Sequence, residues 1–123
     1  MYKYEISTYD YESSTSEILL HEKLFQQIEF DEMAAECFAL AIKKDWDKYQ
    51  SEDYGFTYKD TDGIGIDSLL GDVTEIMISK YGFIMEPYIA PVATFRPYYF
   101  LGRDSTSYST QLIYNHIDKL LET

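Results

Sequence analysis

The chain has 123 residues, with 22 acidic side chains against ten lysines and arginines, for a formal net charge of −12. That balance disfavours direct binding to nucleic acid or to an anionic membrane surface, both of the same sign. An apolar content of 46% argues against a disordered chain, and no apolar run approaches the roughly 18–20 residues of a membrane span. One compact domain over residues 1–123 is expected.

The opening MYKYEISTYDYE has neither a basic region nor an apolar core, so no secretory signal is predicted. Residues 2–9 alternate, with Tyr2, Tyr4, Ile6 and Thr8 on one face and Lys3, Glu5 and Ser7 on the other, the pattern of a half-exposed strand. A polar turn follows from Asp10 to Ser16, and EILLHE (Glu17–Glu22) is expected to be the return strand of a hairpin with Ile18 and Leu20 inward. His21 then falls on the solvent side.

Ile28 to Tyr49 reads at helical period with a wide apolar face. One stripe runs through Ala34, Ala35, Phe38, Ala41, Ile42 and Tyr49, with Trp46 beside it. A second, Phe30, Met33, Cys37 and Leu40, adjoins the first, and Glu29, Glu32, Glu36, Lys43 and Asp47 fill a narrow polar arc. A helix with so little polar surface is expected to lie against a sheet and meet another helix at its flank. Cys37 is the only cysteine. No internal disulfide is possible, and a buried thiol in a reducing cytoplasm is the expectation.

A polar loop with three glycines follows, with a short strand expected near Phe56 to Tyr58; loops of this length are often functional. Asp67 or Ser68 is placed to cap a second helix that buries Leu69, Leu70, Val73, Ile76, Met77 and Tyr81, and Gly82 is placed as its left-handed stop. Residues 83–100 are rich in strand formers, interrupted by Pro87, Pro91 and Pro97. Two short strands near 83–89 and 92–100 are predicted, at least one of them at a sheet edge. A last helix, starting at Ser107 or Ser109, is expected to bury Ile113, Ile117, Leu120 and Leu121. The predicted fold class is α+β: a mostly antiparallel sheet, made of the N-terminal hairpin and the strands in 83–100, with three helices packed on one face. The opposite face is then left for solvent or a partner.

Motifs for chemistry are sparse. Asp60, Asp62 and Gly65 match positions one, three and six of a calcium loop, but Ile64 stands fifth and Gly71 twelfth, where a bidentate glutamate belongs. Gly63-Ile64-Gly65 lacks the lysine of a phosphate loop. His21 and His116 are the only histidines, at no ligand spacing, and His116 reads as a surface residue near a helix end. No metal or cofactor is expected, and no catalytic set is defined.

Charge and tyrosine content carry the functional expectation. By segment the net charge is −4 over residues 1–22, −2 over 23–50, −5 over 51–82 and −1 over 83–123, so acid is spread through the first two thirds. Thirteen tyrosines offer contact area with a polar tip, suited to interfaces with arginine and lysine. The expected function is a non-catalytic acidic protein that binds and inhibits a basic, nucleic-acid-binding protein such as a nuclease, by carboxylates that mimic phosphates. Compactness, acid density and the lack of a catalytic set are shared with small phage-encoded inhibitors of host defence, a likeness of class that no motif narrows to a family. The partner-binding residues expected are Tyr9, Asp10, Tyr11 and Glu12 in the hairpin, with Glu52, Asp53, Tyr54, Tyr58, Asp60 and Asp62 in the mid-chain loop. Such a protein acts as a monomer or homodimer. The alternative is a structural protein that self-associates through 83–100, where Arg96 and Arg103 lie in the least acidic segment. A small enzyme is a third reading, distinguished by a pocket gathering His21, His116 or Cys37 with a carboxylate.

Overall fold

Alternation in β1 (Tyr2–Tyr9) and the apolar run in β2 (Ser14–His21) form an antiparallel hairpin in which Tyr4 pairs with Leu19 and Ile6 with Glu17. The computed structural model describes residues 1–9, 14–49, 69–85, 93–98 and 105–122, with the backbone alone for 15 and 45–49. Two short strands complete the sheet. β3 (Ile84–Met85) pairs antiparallel with β2, and β4 (Ala93–Phe95) pairs parallel with β1, giving the order β3-β2-β1-β4. Both edges therefore come from the proline-interrupted segment, where missing ladder donors are tolerated. The expected strand near Phe56 to Tyr58 lies outside the described residues.

Three helices pack against this mixed, mostly antiparallel sheet: α1 (Gln27–Tyr49), α2 (Leu70–Tyr81) and α3 (Tyr108–Leu121). α1 begins where Phe30 N–H donates to the Gln26 carbonyl and Glu29 Oε1 accepts from Gln26 N–H at 3.0 Å, half of a capping box. Its apolar face meets β4, while α2 and α3 lie along its flanks. Phe30, Ala34, Ala35, Cys37, Phe38, Ala39 and Ala41 are all fully buried, the small residues allowing close approach from several sides. The core joins these to Tyr4, Ile6, Leu19, Met77, Phe83, Phe95 and Ile113. α3 buries Leu112, Ile113, Tyr114 and Ile117; Leu120 is partly covered, but Leu121, expected inside, is exposed at the end of the helix.

Asp67 and Ser68 lie outside the described residues, and Leu69 precedes α2 with no side-chain cap. The far end stops as the sequence predicts. Gly82 has φ 76°, its N–H donates to the Ile78 carbonyl, and Phe83 N–H donates to Met77. A Cβ at this glycine meets only His21 Nε2 at 3.9 Å, so its cost is conformational rather than steric. Gly82→Ala is expected to destabilise the protein by about 1–2 kcal/mol, measured by denaturant unfolding.

Two expectations for the hairpin are corrected. Register pairs Tyr2 with His21 and Tyr4 with Leu19, so Leu19 and His21 face the helices while Ile18 and Leu20 lie opposite, beside Glu5 and Lys3. His21 is buried, not solvent-facing. Lys23 N–H donates to its Nδ1 at 3.0 Å, which places the ring proton on Nε2, donating to the Tyr81 carbonyl at 2.7 Å. Its ring packs edge-on against Phe25 and Phe83, each at 4.8 Å. Nor is the far face of the sheet left open throughout, since Ser7, Ile18 and Leu20 on it are buried.

Candidate functional site

Of the predicted partner-binding residues, Asp10, Tyr11, Glu12, Glu52, Asp53, Tyr54, Tyr58, Asp60 and Asp62 lie outside the described residues. Tyr9 lies inside them, at the end of β1. There the parallel register continues past β4 to bridge Tyr9 with Tyr98. The Tyr98 ring meets the Tyr9 ring edge-on at 5.5 Å, and the Arg96 guanidinium stands 4.5 Å from the Tyr9 ring centre. Nearby on the same face, Thr94 Oγ1 donates to Glu5 Oε1 at 3.3 Å. Tyrosine, arginine and carboxylate are thus gathered on the outer side of β1 and β4.

The edge of β4 is occupied from α1. Gln27 Nε2 donates to the Thr94 carbonyl at 3.1 Å and to Asp31 Oδ1 at 2.6 Å. Burial raises the Asp31 carboxyl above its ordinary value and the Glu32 charge adds to this, while the Gln27 hydrogen bond opposes both. A raised folded value means that ionised Asp31 costs stability. That cost is relieved as pH falls through the folded value and is gone below the unfolded value near 3.8. Asp31→Asn keeps the acceptor for Gln27. It is expected to raise the thermal midpoint at pH 7 by a few degrees at most, with the difference shrinking as the buffer is acidified, in a pair of melting series.

A second gathering lies where α1 meets its two neighbours. Glu32 and Glu36 stand one turn apart on α1. Glu32 Oε2 pairs with His116 Nε2 of α3 at 2.8 Å, and Glu36 Oε1 with Lys80 Nζ of α2 at 2.7 Å. His116 was expected at the surface; its side chain is only 11% exposed and faces α1. The sequence signal was present, since His116 borders the stripe of Ile113, Ile117 and Leu120 and so falls at the margin of the buried face. Glu32, His116, Leu112, Asn115, Asp118, Lys119 and Glu122 line an open depression of about 360 Å³. A histidine with a carboxylate in a hollow is the arrangement expected of a small enzyme, though this one contains no hydroxyl or thiol nucleophile among its lining residues.

Burial would raise the Glu36 carboxyl. Hydrogen bonds from Lys80 and Tyr81, with the nearby charges of Lys80 and His116, outweigh this and hold it below its ordinary value. The Tyr81 hydroxyl is pushed up by burial and by Glu36. Cys37 is buried, and burial together with the Glu36 charge pushes its thiol up to about 12, which keeps it protonated and unreactive. Among the described residues no group of three His, Cys, Asp or Glu side chains is placed to hold a metal ion, and no helix is long and apolar enough to cross a membrane. The calcium-loop residues Asp60, Asp62 and Gly65 lie outside the described residues, while Gly71, in the position of the missing glutamate, stands in the first turn of α2. No family model, curated protein or solved structure matches the chain.

Proposed function

We propose that this chain is a non-catalytic acidic interaction protein of the cytoplasm, which binds a basic, nucleic-acid-binding protein such as a nuclease and inhibits it by occupying its cationic cleft. The observation that carries this reading is the net charge of −12 on a chain with a substantial buried core, distributed through the first two thirds instead of confined to a tail. A field of that sign accelerates encounter with a cationic surface and is screened by salt. Exposed Glu22, Glu29, Glu32, Glu75, Asp118 and Glu122 add to Asp10, Glu12, Glu52, Asp53, Asp60 and Asp62 of the sequence. The inert thiol and the absence of a hydroxyl or thiol among the residues lining the α1–α3 depression fit a binding role better than acyl transfer through a serine or cysteine. Capture of the partner from the source cell, identification by mass spectrometry and calorimetric titration at low and high ionic strength test the reading. Affinity that falls steeply with salt, mostly through the association rate, is the expected result. Salt-insensitive affinity overturns it.

One observation favours the alternative of self-association through 83–100. Ile84 and Met85, on the edge strand β3, are 46% and 56% exposed. The other edge is less available, because Gln27 already occupies the Thr94 carbonyl. Sedimentation at two protein concentrations separates the readings: a mass that keeps growing beyond a dimer supports assembly, a mass that stops at monomer or dimer the acidic inhibitor.

A further inference from the structure

The strand pairing that aligns Tyr4 with Ala93 and Ile6 with Phe95 puts Ala93 and Phe95 on the helix side. Thr94, Arg96 and Tyr98 alternate to the other side, the side of Glu5 and Tyr9. There the Arg96 guanidinium covers the Tyr9 ring at 4.5 Å while Tyr98 closes the ring's neighbourhood at 5.5 Å and 65°. Arg96 is exposed, and among the described residues no carboxylate forms an ion pair with it. It is held by an aromatic face instead. A guanidinium within about 6 Å of a tyrosine ring is drawn to the ring's negative face, a contact that is weak at an exposed site and so easily exchanged. Arginine suits such a seat better than lysine because its charge is planar and weakly hydrated. The chain has only two arginines against eight lysines, and one of them stands on this ring.

We propose that Tyr9 is the seat for an arginine of the basic partner, and that Arg96 is the in-chain occupant displaced on binding. The proposal rests on the reading of the chain as an acidic binder of a cationic protein and names one contact of that interface. It makes Arg96 self-inhibitory: it fills the ring and adds positive charge where the partner's cation must arrive.

The test is calorimetric titration of the full chain with an oligo-arginine peptide and with an oligo-lysine peptide of the same length. Wild type, Arg96→Gln and the double variant Arg96→Gln/Tyr9→Leu are compared. Vacating the ring is expected to raise affinity for oligo-arginine about two- to five-fold, and for oligo-lysine by less. In the double variant the difference between the peptides disappears. An equal gain for both peptides shows that Arg96 acts only as a charge, and an arginine-specific gain that survives loss of the ring shows that Tyr9 is not the seat; either overturns the proposal, while the electrostatic reading stands. Failure of the wild type to bind either peptide at low salt overturns both. If Tyr9→Leu does not fold, the comparison of the two peptides on Arg96→Gln, which keeps the ring, decides alone.

Discussion

Phe38→Ala is expected to lower the unfolding free energy by about 3–5 kcal/mol, the upper end of what a single core substitution costs. Phe38 sits midway along α1, fully buried, with its ring 5.6 Å from that of Phe95 on β4. It is the wedge between the central helix and the edge of the sheet. Of its same-face neighbours on the helix, Ala34, Ala35 and Ala41 are too short to fill the space it leaves, and only Ile42 is large. A domain of this size has about 5–15 kcal/mol in total, so the variant is expected at the margin of folding. Urea titration gives the result directly: the midpoint falls while the slope stays near the wild-type value. An unchanged midpoint places Phe38 outside the core and contradicts the packing of α1 on β4.

The second large effect is expected from a change of one atom. Tyr4→Phe keeps the ring that stacks on Phe30 at 4.9 Å and meets Phe83 edge-on at 5.6 Å, but removes the hydroxyl. That hydroxyl accepts from Phe25 N–H at 2.8 Å and donates to the Lys23 carbonyl at 2.7 Å, fixing the chain between β2 and α1. Two backbone groups lose a partner together, and a loss of about 1–3 kcal/mol is expected. Hydrogen exchange locates it: the Phe25 amide is expected to lose protection more than amides in the middle of α1. Equal loss at both positions assigns the effect to global stability instead.

Much of the architecture was legible because period and punctuation agree. α1 shows its wide apolar face at helical spacing, Gly82 stops α2, and the prolines of 83–100 mark short edge strands. The hairpin register was harder to read. Ile18-Leu19-Leu20 is a continuous apolar run, so period two assigns either set to the core, and it is the pairing of Leu19 with Tyr4 that settles which. The misplacement of His21 follows from the same ambiguity. A histidine beside apolar residues gives no sign in sequence of the two backbone groups that receive it. Leu121 departs from expectation for a different cause, because its stripe runs off the end of the helix packing. For the binding site, composition supplies the sign of the charge but not its placement. The contact of Arg96 with Tyr9 joins residues 87 positions apart in sequence and depends on a parallel pairing that spacing alone does not reveal.

Competition with duplex DNA probes most directly whether this acidic chain takes the place of a polyanion. At one fixed ionic strength, the captured partner is titrated with the protein in the absence and presence of DNA. Apparent affinity is predicted to fall in proportion to the DNA added, as for two ligands of one cleft. A ternary complex formed with undiminished affinity would contradict the account.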